Sequence, residues 1–149
     1  MKLGKVEELA HTLMRAYCPS GWQFGFDHAK RRAGRTNFAA HAITVSAPLA
    51  AVASEAQVRD VILHEIAHVR VGHAHHHDAV WKEEARRLGA TPRATLTDGP
   101  SLPAPYVGTC PRGHRMERFR RPPGPVSCAV CASSFRPEYV ITWTRREQL

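Results

Sequence analysis

At 149 residues with a formal net charge of +8, the chain is long enough for one compact domain of about 100 residues plus a small appendage, and too short for two full cores. No apolar run approaches the roughly 20 residues that a membrane span needs, and the N-terminus lacks a long apolar stretch with a small-residue cleavage site, so a soluble cytoplasmic protein with no membrane partner is expected. Cys18 stands alone while Cys110, Cys128 and Cys131 cluster late in the chain, a usage that suits thiols and metal thiolates in a reducing compartment.

In chain order, residues 6–17 place Val6, Leu9, Leu13 and Met14 on one helical face, as a packing helix does. Cys18-Pro19-Ser20-Gly21 breaks it. Residues 22–26 alternate bulky with small or polar side chains and read as a strand. Residues 28–35 have no clear period, and Gly34 suits a bend. Lys30, Arg31, Arg32 and Arg35 form a basic cluster there, either a strand edge guarded by charge or a nucleic-acid contact. Residues 42–46 read as a further strand, separated by Pro48 from the helix that follows.

That helix spans 54–71. Ser54 and Gln57 have capping-box spacing, Glu55 and Asp60 lie near the positive end, and Gly72 ends the periodic segment. Val58, Ile62, Ile66 and Val69 recur at helical spacing and would bury the helix against a core. The same stretch carries His64-Glu65-Ile66-Ala67-His68. Four residues of helix return to nearly the same face, so His64 and His68 can aim imidazole nitrogens at one ion, with the Glu65 carboxylate beside them as general acid/base. That is the working core of zinc-dependent peptidases. Ten histidines in the chain make an accidental match conceivable, and the capped helix argues against accident.

A catalytic zinc wants three protein ligands and an open position. His73, His75, His76 and His77 all follow the helix, and Glu83 or Glu84 on the next helix are carboxylate alternatives. Metzincin spacing would need Gly at 71 and His at 74, where the chain has Val71 and Ala74. His77 is favoured because Asp78 can cap a new helix with Trp81, Ala85 and Leu88 as its apolar stripe, stopped by Gly89 and Pro92. A residue just before that cap is held rigidly. Helix, small antiparallel sheet and two further helices make an α+β, zincin-like plan over 1–96.

Residues 97–106 have the proline content of a stiff linker. In the segment 107–149, Cys110, His114, Cys128 and Cys131 could supply a tetrahedral structural site of three thiolates and one imidazole. Gly113 stands where a second cysteine is usual, and a ribbon that has lost its metal is the alternative. Strands would include 116–121 and 139–144. Residues 101–149 carry eight arginines against three glutamates. Arg115, Arg118, Arg120 and Arg121, with Phe119 between them, offer phosphate contacts and a stacking ring, or simply a solubilising surface.

The run from Phe26 to Arg35, Ile43 to Ser46, Glu55 to Asp60, the His64–His68 motif and His77 to Lys82, in that order, resembles the SprT-like metallopeptidases, a family that includes the DNA-repair protease Spartan. The resemblance covers roughly residues 5–92, and a zinc-ribbon-like segment follows, as in many members. It implies His64, His68 and His77 as ligands of a catalytic zinc, Glu65 as general acid/base, a second, structural zinc in the ribbon, and protein substrates at or on single-stranded or damaged DNA. Two rivals share these features: a regulatory metallopeptidase that cuts one specific repressor, and a non-catalytic zinc-stabilised nucleic-acid-binding protein with a closed site of four ligands.

Overall fold

The computed structural model describes residues 1–147; positions 148 and 149 of the expected ribbon segment lie outside them. The chain divides into two compact units, Met1–Leu102 and a second beginning at Pro103. The division falls inside the stretch expected as linker. No helix among the described residues is long and apolar enough to cross a membrane.

The first unit opens with α1, Leu3–Tyr17, whose Val6, Ala10, Leu13 and Met14 are buried. Three strands follow: β1 (Gln23–Asp27), β2 (Gly34–Asn37) and β3 (Ala42–Ser46). The expected antiparallel sheet is instead mixed. Its order is β1-β3-β2, with β1 parallel and β2 antiparallel to β3. The reason lies in the connections: residues 28–33 carry the chain past one strand position before it turns back, and the tight turn 38–41 then returns it between the first two strands. Gly34, expected in a bend, opens β2 opposite Val45.

Sequence periodicity did not reveal α2, Ala47–Val52. Pro48 looks like a separator, but in the first helical turn proline is well tolerated because that N–H has no intrahelical partner. The buried Ser46 hydroxyl caps this helix by accepting from the Leu49 N–H at 3.2 Å.

α3, Glu55–Val71, lies against α1, the sheet and α4 (Ala79–Leu88). Its capping box is complete: Ser54 Oγ accepts from the Gln57 N–H at 3.2 Å and Gln57 Oε1 from the Ser54 N–H at 3.0 Å. Val58, Ile62, Ile66 and Val69 are all buried. Gly72 closes the helix at φ 89°, a conformation that favours glycine. Asp78 caps α4 by accepting from the Trp81 N–H at 3.0 Å, and Gly89 ends it in the left-handed region. Trp81 and Ala85 are buried and Leu88 packs at the margin of the core. Arg70 ties the helices together: its guanidinium pairs with the buried Glu84 and donates to the Tyr17 carbonyl at 2.9 Å.

The second unit is an antiparallel sheet in the order β5-β4-β6, formed by Tyr106–Thr109 (β4), Arg115–Arg118 (β5) and Thr142–Arg145 (β6). The Pro-rich approach hides β4 from a sequence reading. β5 stops at Arg118, short of the expected 121, because its partner strand begins at Tyr106, directly opposite. β6 begins at 142 because Pro137–Tyr139 form a 3-10 turn. Among its described residues, Cys110, Cys128 and Ile141 form the buried core cluster. So little buried apolar surface does not by itself stabilise about 40 residues, which is where a metal staple helps most.

Candidate functional site

His64 and His68 occupy successive turns of α3, and the cap of α4 holds His77 against them. The Nε2 atoms of His64 and His68 each lie 3.1 Å from Nε2 of His77. Tetrahedral zinc with bonds of about 2.0–2.1 Å separates its nitrogens by about 3.3 Å, so the three rings fit such an ion. Burial drives the imidazoles towards their neutral, ligating form. The His64 value falls to about 3 and that of His68 to about 4, through desolvation first and mutual repulsion among the rings second. His77 is lowered too, chiefly by burial and then by the charges of His76 and Lys82. Trp81, fully buried, forms the floor: its ring lies 4.6, 5.2 and 4.7 Å from the rings of His64, His68 and His77.

The other ligand candidates are engaged elsewhere. His73 packs edge-on against Phe38, His75 Nδ1 pairs with Asp78 at 2.7 Å, and His76 is exposed. Glu83 faces Arg86 and Glu84 faces Arg70.

Glu65 is buried beside the three rings. Desolvation lifts its carboxyl from 4.5 to about 7, against the lowering effects of the Thr36 hydrogen bond and the Arg32 charge. The Thr36 hydroxyl donates to Glu65 Oε2 at 2.7 Å. A Cβ at Gly34 would lie 2.9 Å from Glu65 Oε1 and 2.9 Å from Val61 Cγ1, so only glycine lets β2 approach α3 this closely. Thr36 and Gly34 carry no motif, and only strand register against the helix reveals them. A cavity of about 610 Å³ opens beside this carboxylate, lined by Arg31, Arg32, Arg35, Val61, Leu96 and Pro100 among others. A second, of about 500 Å³, lies towards Asn37, Phe38 and the His73–His76 turn. Lys30 is exposed between β1 and β2.

The sequence profile of the SprT-like family matches residues 6–100. The chain belongs to the SprT-like family. The matched span runs from within α1 through α4 and includes the three histidines and Glu65, and membership supports a zinc metallopeptidase-type function. A comparison with curated proteins returns no match. Among solved structures the chain is similar to the metallopeptidase zymogen abylysin of Pyrococcus abyssi, at 19% identity and a TM-score of 0.49, covering 60% of this chain and 84% of that one.

Beyond the SprT-like match lies the second cluster. His114 Nδ1 sits 3.4, 3.6 and 3.3 Å from the sulfurs of Cys110, Cys128 and Cys131, and the Cys110 and Cys131 sulfurs are 3.9 Å apart. Tetrahedral zinc with S–Zn bonds of about 2.3 Å gives about 3.6 Å for S···N and about 3.8 Å for S···S, so this donor set also fits. Gly113, at φ 88°, makes the turn that brings His114 round to Cys110.

The ribbon arginines separate by face. Strand register sets Arg118 and Arg145 on either side of Tyr106, and Met116 and Trp143 on either side of Gly108; alternation puts these residues on one face of the sheet. The Trp143 ring lies over Gly108, where a Cβ would come within 2.9 Å of it, and the Arg118 guanidinium stands 5.7 Å from the ring centre. Arg115 falls on the opposite face beside Glu117 at 3.5 Å, while Arg120 and Arg121 are exposed beyond the strand. Tyr106, Trp143 and Arg145 were not among the residues expected to bind nucleic acid, because only cross-strand pairing brings them together.

Proposed function

We propose that this chain is a zinc-dependent endopeptidase of SprT-like type that cuts proteins associated with or crosslinked to DNA. The observation that carries the peptidase reading is the convergence of three histidine Nε2 atoms beside a buried carboxylate. His64, His68 and His77 would hold the zinc. When bound, that ion supplies a Lewis acid that polarises the scissile carbonyl and acidifies water. Glu65, lifted to about 7, suits a proton acceptor that must release the proton again near neutral pH. The Thr36 hydroxyl holds Oε2 and so orients the carboxylate, which would take the proton from water and pass it to the leaving amine. A closed, purely structural site would need a fourth ligand, and the engagement of His73 and His75 elsewhere counts against it.

The DNA-associated part of the reading is supported by the ribbon face that combines Trp143, Tyr106, Arg118 and Arg145. Aromatic rings flanked by guanidinium groups suit single-stranded nucleic acid, because every base offers a face to stack and every phosphate a charge. The test is cleavage of a DNA-bound protein with and without single-stranded DNA. Chelation should abolish cleavage and zinc restore it, and Trp143→Ala should remove the DNA stimulation while leaving the basal rate. Stimulation unchanged in Trp143→Ala would contradict the nucleic-acid reading, and cleavage surviving chelation would contradict the zinc reading.

A further inference from the structure

The basic residues 31–35 fall on the wall of the cavity beside Glu65. Arg31, Arg32 and Arg35 line one side of it, and Val61, Leu96 and Pro100 contribute apolar surface. Arg32 is partly neutralised by Asp27 at 3.1 Å. Arg31 and Arg35 are exposed and have no ion-pair partner among the described residues. Glu65 is the one carboxylate among the residues lining the cavity, and it is buried and hydrogen-bonded to Thr36. The cavity therefore presents unmatched positive charge a short way from the reacting position. Low-dielectric walls focus such a field towards whatever enters.

We infer that this cavity is a specificity subsite that takes an acidic side chain of the substrate polypeptide, with Arg31 and Arg35 as its determinants. The inference rests on the peptidase reading above, since it names what that site prefers. An aspartate or glutamate fits on two counts. Its carboxylate meets guanidinium donors in the forked geometry they favour, and its methylene stem lies along Val61 and Leu96. A lysine or arginine there would face like charge.

The placement of these residues favours peptide over nucleic acid as their partner. They belong to the segment that lines a cavity of about 610 Å³ next to Glu65, where the chain to be cut must lie, and the stacking rings of Trp143 and Tyr106 belong to the other unit.

The experiment is digestion of a random peptide library by the full-length, zinc-loaded chain, with cut sites read by mass spectrometry. The parent should show Asp and Glu enriched at one position near the cut, by about fivefold, as one partly exposed ion pair supplies. Arg35→Glu and, separately, Arg31→Glu should lose that enrichment, and the double variant should favour Lys and Arg at the same position. Metal content and melting temperature of each variant, unchanged from the parent, tie the shift to the side chain. A parent profile without acidic enrichment, or an unchanged profile in both variants, overturns the subsite while leaving the peptidase reading intact. Reduced affinity of the Arg35→Glu chain for single-stranded DNA with an unchanged peptide profile assigns these arginines to nucleic acid and likewise overturns it. Failure of the parent to cut any peptide overturns the peptidase reading and the subsite with it.

Discussion

At the scale of single residues, Glu65 shows how function and stability oppose each other. A carboxyl lifted by burial from 4.5 to about 7 is favoured in its neutral form by the fold. Its contribution is therefore fully present below about pH 4.5 and is lost as the pH rises through about 7. In the metal-free protein, Glu65→Gln should gain stability over the parent as the pH goes from about 5 to about 8, by at most about 3 kcal/mol. Thermal melts of both proteins across that range check this; a constant difference would mean that Glu65 is solvated. His64 and His68, depressed to about 3 and about 4, have the opposite dependence. They stay neutral in the fold while the unfolded chain takes up protons, so their share of stability fades as pH falls below about 6.5. The motif residues were legible because helical spacing alone puts His64, Glu65 and His68 together. His77 was legible through the Asp78 cap that holds it. Thr36, which orients the carboxylate, was invisible because its partner is 29 positions away.

At the scale of elements, α3 carries the site because its boundaries and buried face are written locally, in the Ser54–Gln57 box, the Val58–Val69 stripe and Gly72. The sheet is different. Which strand lies in the middle depends on how 28–33 and 38–41 turn, and nothing in 42–46 announces a parallel neighbour on one side and an antiparallel one on the other. The close approach of β2 to α3 depends on Gly34. Gly34→Ala should push a methyl against Glu65 and Val61, destabilise the fold by about 1–3 kcal/mol, and lower the cleavage rate while zinc stays bound. Melting, metal content and rate on one preparation separate these effects; full activity in Gly34→Ala would mean that β2 does not set the position of Glu65.

At the scale of the whole molecule, two units are each suited to an ion for a different purpose. The three-histidine cluster of the first offers three ligands and would leave a coordination position open, whereas the Cys110, His114, Cys128 and Cys131 set of the second offers four, and two of these, Cys110 and Cys128, belong to the small buried core found among the described residues of that unit. Elemental analysis should find two zinc ions per chain in the parent and one in Cys128→Ser. The ribbon's clustering of Cys110, Cys128 and Cys131 with His114, in the place of a fourth cysteine, was legible from spacing. Its aromatic and arginine face was not, because β4 follows a Pro-rich stretch and the face exists only across strands.

In the proposed mechanism His64, His68 and His77 hold a catalytic zinc for which Glu65 moves the proton. The most direct measurement compares the zinc-loaded parent and Glu65→Gln on one DNA-bound protein substrate, with metal content determined on the same samples. Equal zinc is expected in both, with cleavage by the variant slower than by the parent by at least about a hundredfold. Equal rates at equal zinc would contradict it.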